Sequence, residues 1–196
     1  SAFRPRRMLR WHYRSRHSAL IRFSNRMMYD DDLVVFPSSN EDDPSMGVFS
    51  TFTSGIYKAG LNPIEGEAVV EAALNFMKTD PNRSLGIVAM NKSQSDFINE
   101  RLQYAIARDK KATDYVERWN AERGGLEEFF VKNLENVQGD ERDVIFISTV
   151  YGPPAPGERI RQAFGPLNGA TGKRRLNVLF SRAKEQVRTF TSMTSG

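Results

Sequence analysis

The chain has 196 residues, and 28 Lys and Arg against 24 Asp and Glu give a formal net charge of +4. Hydrophobic residues make up 39% of the chain, which is enough for a core and excludes a wholly disordered protein. With no cysteine and two histidines, disulfide frameworks, thiolate zinc sites and histidine-built metal sites are excluded. No apolar run approaches a membrane span and no secretory signal is visible, so we expect a cytoplasmic domain with no membrane partner.

Charge is concentrated in blocks along the chain. Residues 1–29 contain eight arginines and no acid, residues 30–43 contain six acids and no base, and residues 158–188 contain eight bases and two acids. We interpret residues 1–45 as a basic and then acidic segment of one domain that spans residues 1–196. Clustered cations favour a polyanionic partner, but charge alone is equally well explained by solvated faces that only maintain solubility.

Helical and strand patterns alternate along the chain. Apolar spacing and helix-start signals predict helices over residues 17–29, 62–78, 95–108, 113–122 and 174–185. Apolar runs predict strands over residues 33–36, 46–52, 85–90, 129–131, 143–150 and 187–193. The start of the second helix is the clearest, because Asn62 is a favoured capping residue and Pro63 is of the type favoured at the first helical position.

This alternation predicts an α/β fold of three layers, with a mostly parallel sheet covered by helices on both faces. Ligands of such sheets bind beyond the carboxyl ends of the strands, so we expect the loops after Met90, Val131 and Val150 to carry the site. Residues 152–172 form a loop rich in Gly and Pro that is long for a compact domain. A loop of that length is either functional or mobile.

The Gly-rich stretch from Gly165 to Arg174 is the one candidate for a phosphate-binding P-loop. The P-loop requires Gly five positions before the Gly of Gly-Lys, where this chain has Leu167. It also requires Ser or Thr after the Lys, where this chain has Arg174. No acidic pair of the magnesium-binding kind ends an apolar strand. The chain is therefore not a complete P-loop ATPase.

Three segments have residue types that suit the other half of an ATP cleft. The first motif is residues 9–17 (LRWHYRSRH), which places aromatic rings beside guanidinium groups. The second motif is residues 136–143 (NVQGDERD), directly before the strongest predicted strand. The third motif is residues 174–185 (RRLNVLFSRAKE). Guanidinium groups supplied across a cleft stabilise the charge that accumulates during phosphoryl transfer.

Together and in this order, the three motifs resemble the later motifs of superfamily 1 DNA and RNA helicases of the Upf-like branch. In that family they read Tyr-Arg-Met-His-Pro, Val-Gln-Gly-x-Glu-x-Asp and Leu-Asn-Val-x-x-x-Arg-Ala. Residues 164–168 (FGPLN) are similar to a bacterial subgroup of the same helicases. The resemblance covers residues 8–193, which is nearly the whole chain.

The resemblance implies the second, C-terminal RecA-like domain of such a helicase, a P-loop NTPase-type fold that lacks its own P-loop. The cofactor would be ATP, with Mg²⁺ held by an N-terminal RecA-like domain that also carries the P-loop. The other partner would be single-stranded nucleic acid, with DNA favoured over RNA. The parent protein would hydrolyse ATP, and the isolated chain is expected to be inactive.

The resemblance also implies roles for individual residues. Tyr13 would stack on adenine, Arg14 would reach the γ-phosphate, Gln138 and Gly139 would lie at the cleft, Glu141 would accept a hydrogen bond from a ribose hydroxyl, and Arg182 would be the arginine finger. Arg14, Gln138 and Arg182 are thus the candidate catalytic residues. The first motif departs from the family after Arg14, where Ser-Arg-His replaces Met-His-Pro.

Candidate nucleic-acid contacts lie just after the predicted strand 85–90 and at the end of the predicted strand 143–150, and they are Asn91, Lys92, Gln94 and Thr149. The family often has a Thr near this point that contacts a phosphate, and this chain has Ala89 there. A basic nucleic-acid-binding module without nucleotide chemistry is the main alternative. An ordinary helical i,i+3 pair with Glu185 is the competing interpretation of Arg182.

An α/β nuclease is a third interpretation of the sequence. Its metal ligands would have to come from four acids of the second motif region, which are Glu135, Asp140, Glu141 and Asp143. No Lys stands at the spacing from these acids that such nucleases use, so the helicase interpretation is preferred.

Overall fold

The computed structural model describes residues 11–12, 15–28, 31–35, 40–137, 139–160 and 172–193. The helices are α1 (Ser18–Met28), α2 (Pro63–Thr79), α3 (Lys92–Ile106), α4 (Lys110–Ala121) and α5 (Gly172–Phe180), with a 3₁₀ turn at Glu122–Gly125. The strands are β1 (Trp11–His12), β2 (Val34–Val35), β3 (Gly47–Phe52), β4 (Leu85–Ala89), β5 (Phe130–Asn133), β6 (Arg142–Ser148) and β7 (Ala183–Thr191). Every predicted element has a counterpart, and most differences are at the ends of elements.

The main sheet has five strands in the order β3-β7-β6-β4-β5, and all its neighbouring pairs are parallel. β1 and β2 form a separate parallel pair. The connection from β3 through α2 to β4 runs along the sheet in one direction, and the connection from β6 through α5 to β7 runs in the other. Because such crossovers are right-handed, opposite directions place their helices on opposite faces.

Two groups of helices therefore cover the sheet. α1 packs against α5, β3 and β7, whereas α2 packs against α3, α4, β6 and β7. All five residues of β4 are buried, and β6 is buried over its last five residues, as expected for strands covered on both faces. The three-layer α/β fold is confirmed. Among the described residues, no helix has the length and apolar character needed to cross a bilayer.

Side-chain caps start three of the helices. The Asn62 side chain accepts a hydrogen bond from the amide of Glu65 at 3.2 Å, and Pro63 occupies the first turn of α2, as the sequence predicted. Asn91 caps α3 in the same way. Asp109 caps α4 by accepting bonds from the amides of Lys111 and Ala112. These caps satisfy amide groups that a helix leaves unpaired at its start.

The predicted helix over residues 174–185 is wrong in its second half. α5 ends at Phe180, Ser181 and Arg182 form a turn, and β7 begins at Ala183. Arg, Lys and Glu favour helices, which is why the sequence pattern extends the helix. Pairing with β6 overrides that local preference, because Ala183 lies opposite Arg142 and starts the central β6–β7 ladder.

Candidate functional site

The two edges of the sheet carry different sets of candidate residues. We call the edge where β4, β6 and β7 begin, at Leu85, Arg142 and Ala183, the amino edge. The carboxyl edge is the opposite one, where the same strands end at Ala89, Ser148 and Thr191. The sequence predicted a ligand site at the carboxyl edge, but Arg16 of the first motif, residues 141–143 of the second and residues 182–185 of the third lie at the amino edge.

The main chain joins the three motifs at the amino edge. The amide of Arg16, in the first motif, donates to the carbonyl of Lys184, in the third motif, at 2.7 Å. The amide of Arg142, in the second motif, donates to the carbonyl of Arg182 at 3.1 Å. The first and second motifs, whose Arg16 and Arg142 are more than 120 positions apart in sequence, are therefore each hydrogen-bonded to the third motif. Tyr13, Arg14 and Gln138 lie outside the described residues.

Arg182 lies in the turn between α5 and β7, where it is half-buried. Its amide donates to the carbonyl of Leu179, and its Nε donates to the carbonyl of Val178, both at 3.1 Å. Arg182 therefore lies beyond the end of α5, although the sequence predicted a helix over residues 174–185. A helical i,i+3 pair with Glu185 is absent, since residues 183–185 are strand.

Gly139 and Glu141 of the second motif lie just before β6. Gly139 is exposed and has a φ of +95°, and a Cβ placed on it would meet no atom of the described residues within 4 Å. Glycine is favoured here by the left-handed backbone, and the space above it is open. Glu141 is half-buried, and its side chain lines a cavity at this edge.

Arg142 anchors the second motif in the core. It is 1% exposed, and its guanidinium donates to the carbonyls of Glu128 (2.7 Å), Leu126 (3.3 Å) and Glu141 (2.6 Å). Its guanidinium carbon lies 4.7 Å from the centre of the Phe130 ring. Burial lowers the pKa of Arg142, and nearby acids oppose that shift. The carbonyls take the place of water around this charge.

A polar cavity of about 690 Å³ opens at the amino edge. Its walls alternate in charge and include Arg16, Arg83, Glu127, Glu141, Lys184 and Glu185. Glu185 forms ion pairs with Arg16 and, at 3.8 Å, with Arg83. Lys184 Nζ lies 2.8 Å from Glu127 Oε1. The ion pairs hold the start of β7 against the first motif and against the segment before β5.

Two predicted nucleic-acid contacts, Asn91 and Lys92, lie beyond β4 at the carboxyl edge. Asn91 is half-buried, caps α3 and donates from Nδ2 to the carbonyl of Gly60 at 2.9 Å. Lys92 is exposed and pairs with Asp96 at 2.7 Å. Of the two, Lys92 offers the more accessible polar group.

The predictions for Gln94 and Thr149 are corrected by their burial. Gln94 is fully buried, and its amide bonds both the amide and the carbonyl of Asn62 at 2.9 Å. Thr149 Oγ1 is also buried and has no hydrogen-bond partner among the described residues. Neither side chain is accessible to a nucleic acid in this structure.

Sequence reasoning missed Glu65, a fully buried acid at the carboxyl edge. Burial raises its pKa, and hydrogen bonds from Val150, Ser148 and Ser192 oppose that shift. The signal available in the sequence was the helix start at Asn62, which predicts an acid in the first turn. Nothing in that local pattern indicates that this first turn lies beneath the ends of β6 and β7.

Three of the four acids of the nuclease interpretation bind separate partners. Asp140 pairs with Lys132 at 2.9 Å, and Glu135 lies 3.6 Å from Arg175. Asp143 accepts bonds from the amide and hydroxyl of Ser84. Within the described part of the chain, no group of three His, Cys, Asp or Glu side chains is placed to hold a metal ion.

Comparison with known proteins shows that the chain belongs to a family of AAA domains. A family described as "AAA domain" matches residues 49–193. Over 187 residues the chain is 35% identical to the "Uncharacterized ATP-dependent helicase MG140" of Mycoplasma genitalium, covering 93% of this chain and 16% of that protein. It is 33% identical, with the same coverage, to the homologue from Mycoplasma pneumoniae. The chain thus spans about a sixth of the length of these relatives.

A solved structure with a similar outline is described as the C-terminal domain of a possible DNA helicase from Lactobacillus plantarum. The TM-score is 0.48 and the sequence identity is 14%, over 91% of this chain and 86% of that one. Values this low carry no inference about the present chain.

Proposed function

Because the chain belongs to this AAA-domain family, we propose that it is the C-terminal motor domain of an ATP-dependent nucleic-acid helicase or translocase. Its relatives are named as ATP-dependent helicases, which supports this function. The domain acts with an N-terminal RecA-like domain that carries the P-loop, since this chain contains none. We call the protein that contains both domains the parent protein.

The observation that carries the proposal is the meeting of the three motifs at the amino edge. Two main-chain hydrogen bonds, from Arg16 to Lys184 and from Arg142 to Arg182, join segments that are distant in sequence. Residues that serve one ligand must lie within a few ångströms of one another, whatever their separation in the chain. The bond from Arg142 to Arg182 belongs to the start of the β6–β7 ladder, so the bond from Arg16 to Lys184 is the contact that brings the first motif to the other two.

The amino edge suits a nucleotide held between two domains. Gly139 leaves open space above the backbone, so a ligand can approach closely there. Glu141 offers a carboxylate acceptor for a ribose hydroxyl. Arg182 is held by its Nε at the carbonyl of Val178, which orients its guanidinium. Arg is the residue of choice here because its planar fork bonds two phosphate oxygens at once.

The remaining roles belong to residues outside the described ranges. Tyr13 supplies a ring for stacking on adenine, Arg14 reaches the γ-phosphate, and Gln138 lies at the cleft. The N-terminal domain holds Mg²⁺ together with the phosphates. When ATP is bound, its hydrolysis supplies the free energy for closing the two domains along the nucleic acid.

Single-stranded nucleic acid is proposed to cross the carboxyl edge, with DNA favoured over RNA. Lys92 is exposed at that edge, and an ammonium group there attracts a phosphate backbone. Asn91 lies beside it at the start of α3. Gln94 and Thr149 are not part of this proposed surface, because their side-chain polar atoms are buried.

The test is ATP turnover by the purified parent protein with and without single-stranded DNA, compared with turnover by the 196-residue chain. We expect turnover that DNA stimulates in the parent protein and none in the chain. Turnover by the chain alone would contradict the shared cleft. A parent protein that binds DNA in a salt-dependent way and hydrolyses no ATP would instead support a basic binding module.

A further inference from the structure

A buried carboxyl group lies where two central strands leave the sheet. Glu65, in the first turn of α2, is fully buried. Its Oε1 accepts hydrogen bonds from the Ser148 hydroxyl and from the Val150 amide, both at 2.7 Å. Its Oε2 lies 3.3 Å from the hydroxyl of Ser192. One side chain therefore bonds the end of β6, the residues after it and the first residue after β7.

Two amides extend this arrangement to the neighbouring segments. Asn62 Nδ2 donates to the carbonyl of Val150 at 3.1 Å and to Ser192 Oγ at 2.9 Å. The Gln94 amide bonds the main chain of Asn62 and, at 3.3 Å, Ser148 Oγ. Thr53 Oγ1, just after β3, lies 2.7 Å from Ser192 Oγ. We call these buried polar residues the carboxyl-edge cluster: Thr53, Asn62, Glu65, Gln94, Ser148 and Ser192.

The carboxyl-edge cluster holds a backbone conformation that its residue disfavours. Val150 has a φ of +70°, a region that β-branched residues rarely adopt. Its amide is bonded by Glu65 and its carbonyl by Asn62, so both ends of the residue are fixed. Such a conformation persists where the surroundings over-determine it. The unusual turn at Val150 thus depends on the cluster.

The residues after Val150 build a surface at the carboxyl edge. Pro153 and Pro156 line one side of a cavity of about 420 Å³, and Phe52 lines another. Phe52 is 58% exposed although it ends a strand of the main sheet. Ser192 belongs both to the carboxyl-edge cluster and to the lining of this cavity. The shape of this surface is therefore linked to the bonds that Glu65 makes.

Hydrogen positions in the cluster fit either charge state of Glu65. When Glu65 is ionised, Ser192 donates to Oε2 and Thr53 donates to Ser192. When Glu65 is protonated, Oε2 donates to Ser192, and Ser192 donates to Thr53. Rotation of two hydroxyl groups connects these patterns without movement of heavier atoms. Glutamine reproduces the second pattern, because its amide nitrogen donates where the protonated oxygen would.

We propose that Glu65 is a positioning residue that holds residues 148–153 in place and, through them, sets the affinity of the carboxyl edge for single-stranded nucleic acid. The inference rests on the proposed function for the identity of the ligand. The positioning itself rests on the hydrogen bonds to Ser148, Val150 and Ser192.

The test compares Glu65→Ala and Glu65→Gln in the parent protein, with Glu67→Ala as a control that removes an exposed acid two residues away. We expect Glu65→Ala to raise the KM for a single-stranded DNA oligonucleotide about tenfold in the ATPase assay, with kcat at saturating DNA within about twofold. Glu65→Gln should restore the KM to within about twofold of wild type. A residue needed only for folding would lower the active fraction and kcat, and leave the KM unchanged.

Hydrogen–deuterium exchange over residues 149–160 of the same proteins separates this inference from the proposed function. We expect faster exchange in Glu65→Ala and wild-type exchange in Glu65→Gln. If Glu65→Ala does not fold, Ser192→Ala should show the faster exchange, because it removes the hydroxyl that bonds Glu65 Oε2, Asn62 and Thr53 and keeps the bonds from Glu65 to Ser148 and Val150. Wild-type exchange in the folded alanine variants would overturn the positioning role, as would a well-folded Glu65→Gln with a tenfold higher KM. If DNA does not stimulate ATP turnover by the wild-type parent protein, the proposed function is contradicted. Hydrogen–deuterium exchange would still decide the role of Glu65.

Discussion

The amino and carboxyl edges of the sheet differ in how their acidic side chains are stabilised. At the amino edge, Lys184 pairs with Glu127 and Glu185 pairs with Arg16, around a cavity of about 690 Å³ that opens to solvent. At the carboxyl edge, Glu65 is sealed from solvent and bonded by hydroxyl and amide groups. Cations balance the buried carboxylates Glu127 and Glu185 at the amino edge, whereas the buried Glu65 is bonded only by hydroxyl and amide donors among the described residues.

The difference teaches that a polar residue after a parallel strand is not by itself a ligand contact. The general rule for parallel sheets points to the carboxyl edge, and Gln94 and Thr149 lie there. The Gln94 side chain is hydrogen-bonded to the main chain of Asn62, and the Thr149 hydroxyl is buried. Arg16, Glu141 and Arg182, one from each of the three motifs, lie instead at the amino edge. The following predictions test this division between the two edges.

The largest effect is expected at Arg182. In the parent protein, Arg182→Ala should lower ATP turnover about 10³-fold or more, because the lost interaction exists mainly in the transition state. Its hydrogen bond to Val178 predicts a loss of only about 0.5–1.5 kcal/mol in the free energy of unfolding. Arg182→Lys should rescue little. Arg101→Ala, on the exposed face of α3, is the control, and near-normal turnover in Arg182→Ala would remove the arginine-finger role.

A large loss of stability is expected at Arg142. Arg142→Met leaves the carbonyls of Leu126, Glu128 and Glu141 without their donor, so the free energy of unfolding should fall by about 3 kcal/mol. Chemical denaturation measures this change. Arg118 lies at the exposed rim of the amino-edge cavity, so Arg118→Met should change the free energy of unfolding by no more than about 0.5 kcal/mol. Equal losses of stability in the two variants would contradict the anchoring role of the buried Arg142 side chain.

Two glycines with open surroundings allow a matched comparison of the edges. Gly139 has a φ of +95° and Gly157 a φ of +78°, and within the described part of the chain a Cβ on either meets no atom within 4 Å. Changing each to alanine should destabilise the fold by about 1 kcal/mol through backbone strain alone. ATP turnover should fall in Gly139→Ala and stay near wild type in Gly157→Ala. Equal turnover in the two variants would contradict a nucleotide at the amino edge.

The smallest effect is a pH dependence of stability at the carboxyl edge. Burial raises the pKa of Glu65, so its contribution to stability is full below the unfolded-state pKa and is lost as the pH rises through the folded-state pKa. Glu65→Gln lacks this loss. The stability of Glu65→Gln relative to wild type should therefore increase as the pH rises from about 4 toward neutrality. Denaturation at several pH values measures the difference, and a constant difference would show that Glu65 does not titrate abnormally.

The sequence by itself determined the fold class and the family. Alternating strand and helix patterns predicted the three-layer α/β fold, and the structure confirms it because burial on both faces leaves strands such as β4 continuously apolar. The three motifs predicted the helicase family; the match over residues 49–193 shows an AAA-domain family, and the relatives at 33% and 35% identity are named as ATP-dependent helicases. Local signals such as the cap at Asn62 were also sufficient, since a cap depends on a few neighbouring residues.

Only the tertiary structure decided which polar residues lie on which edge. It ended α5 at Phe180 because pairing of Ala183 with Arg142 outweighs helix propensity, and this moved Arg182 from a helix to a turn. It buried Gln94 and Glu65, whose sequence surroundings resemble those of ordinary exposed helix starts. Burial of these side chains depends on strands that follow about 50 to 130 residues later in the chain, so no local pattern contains it.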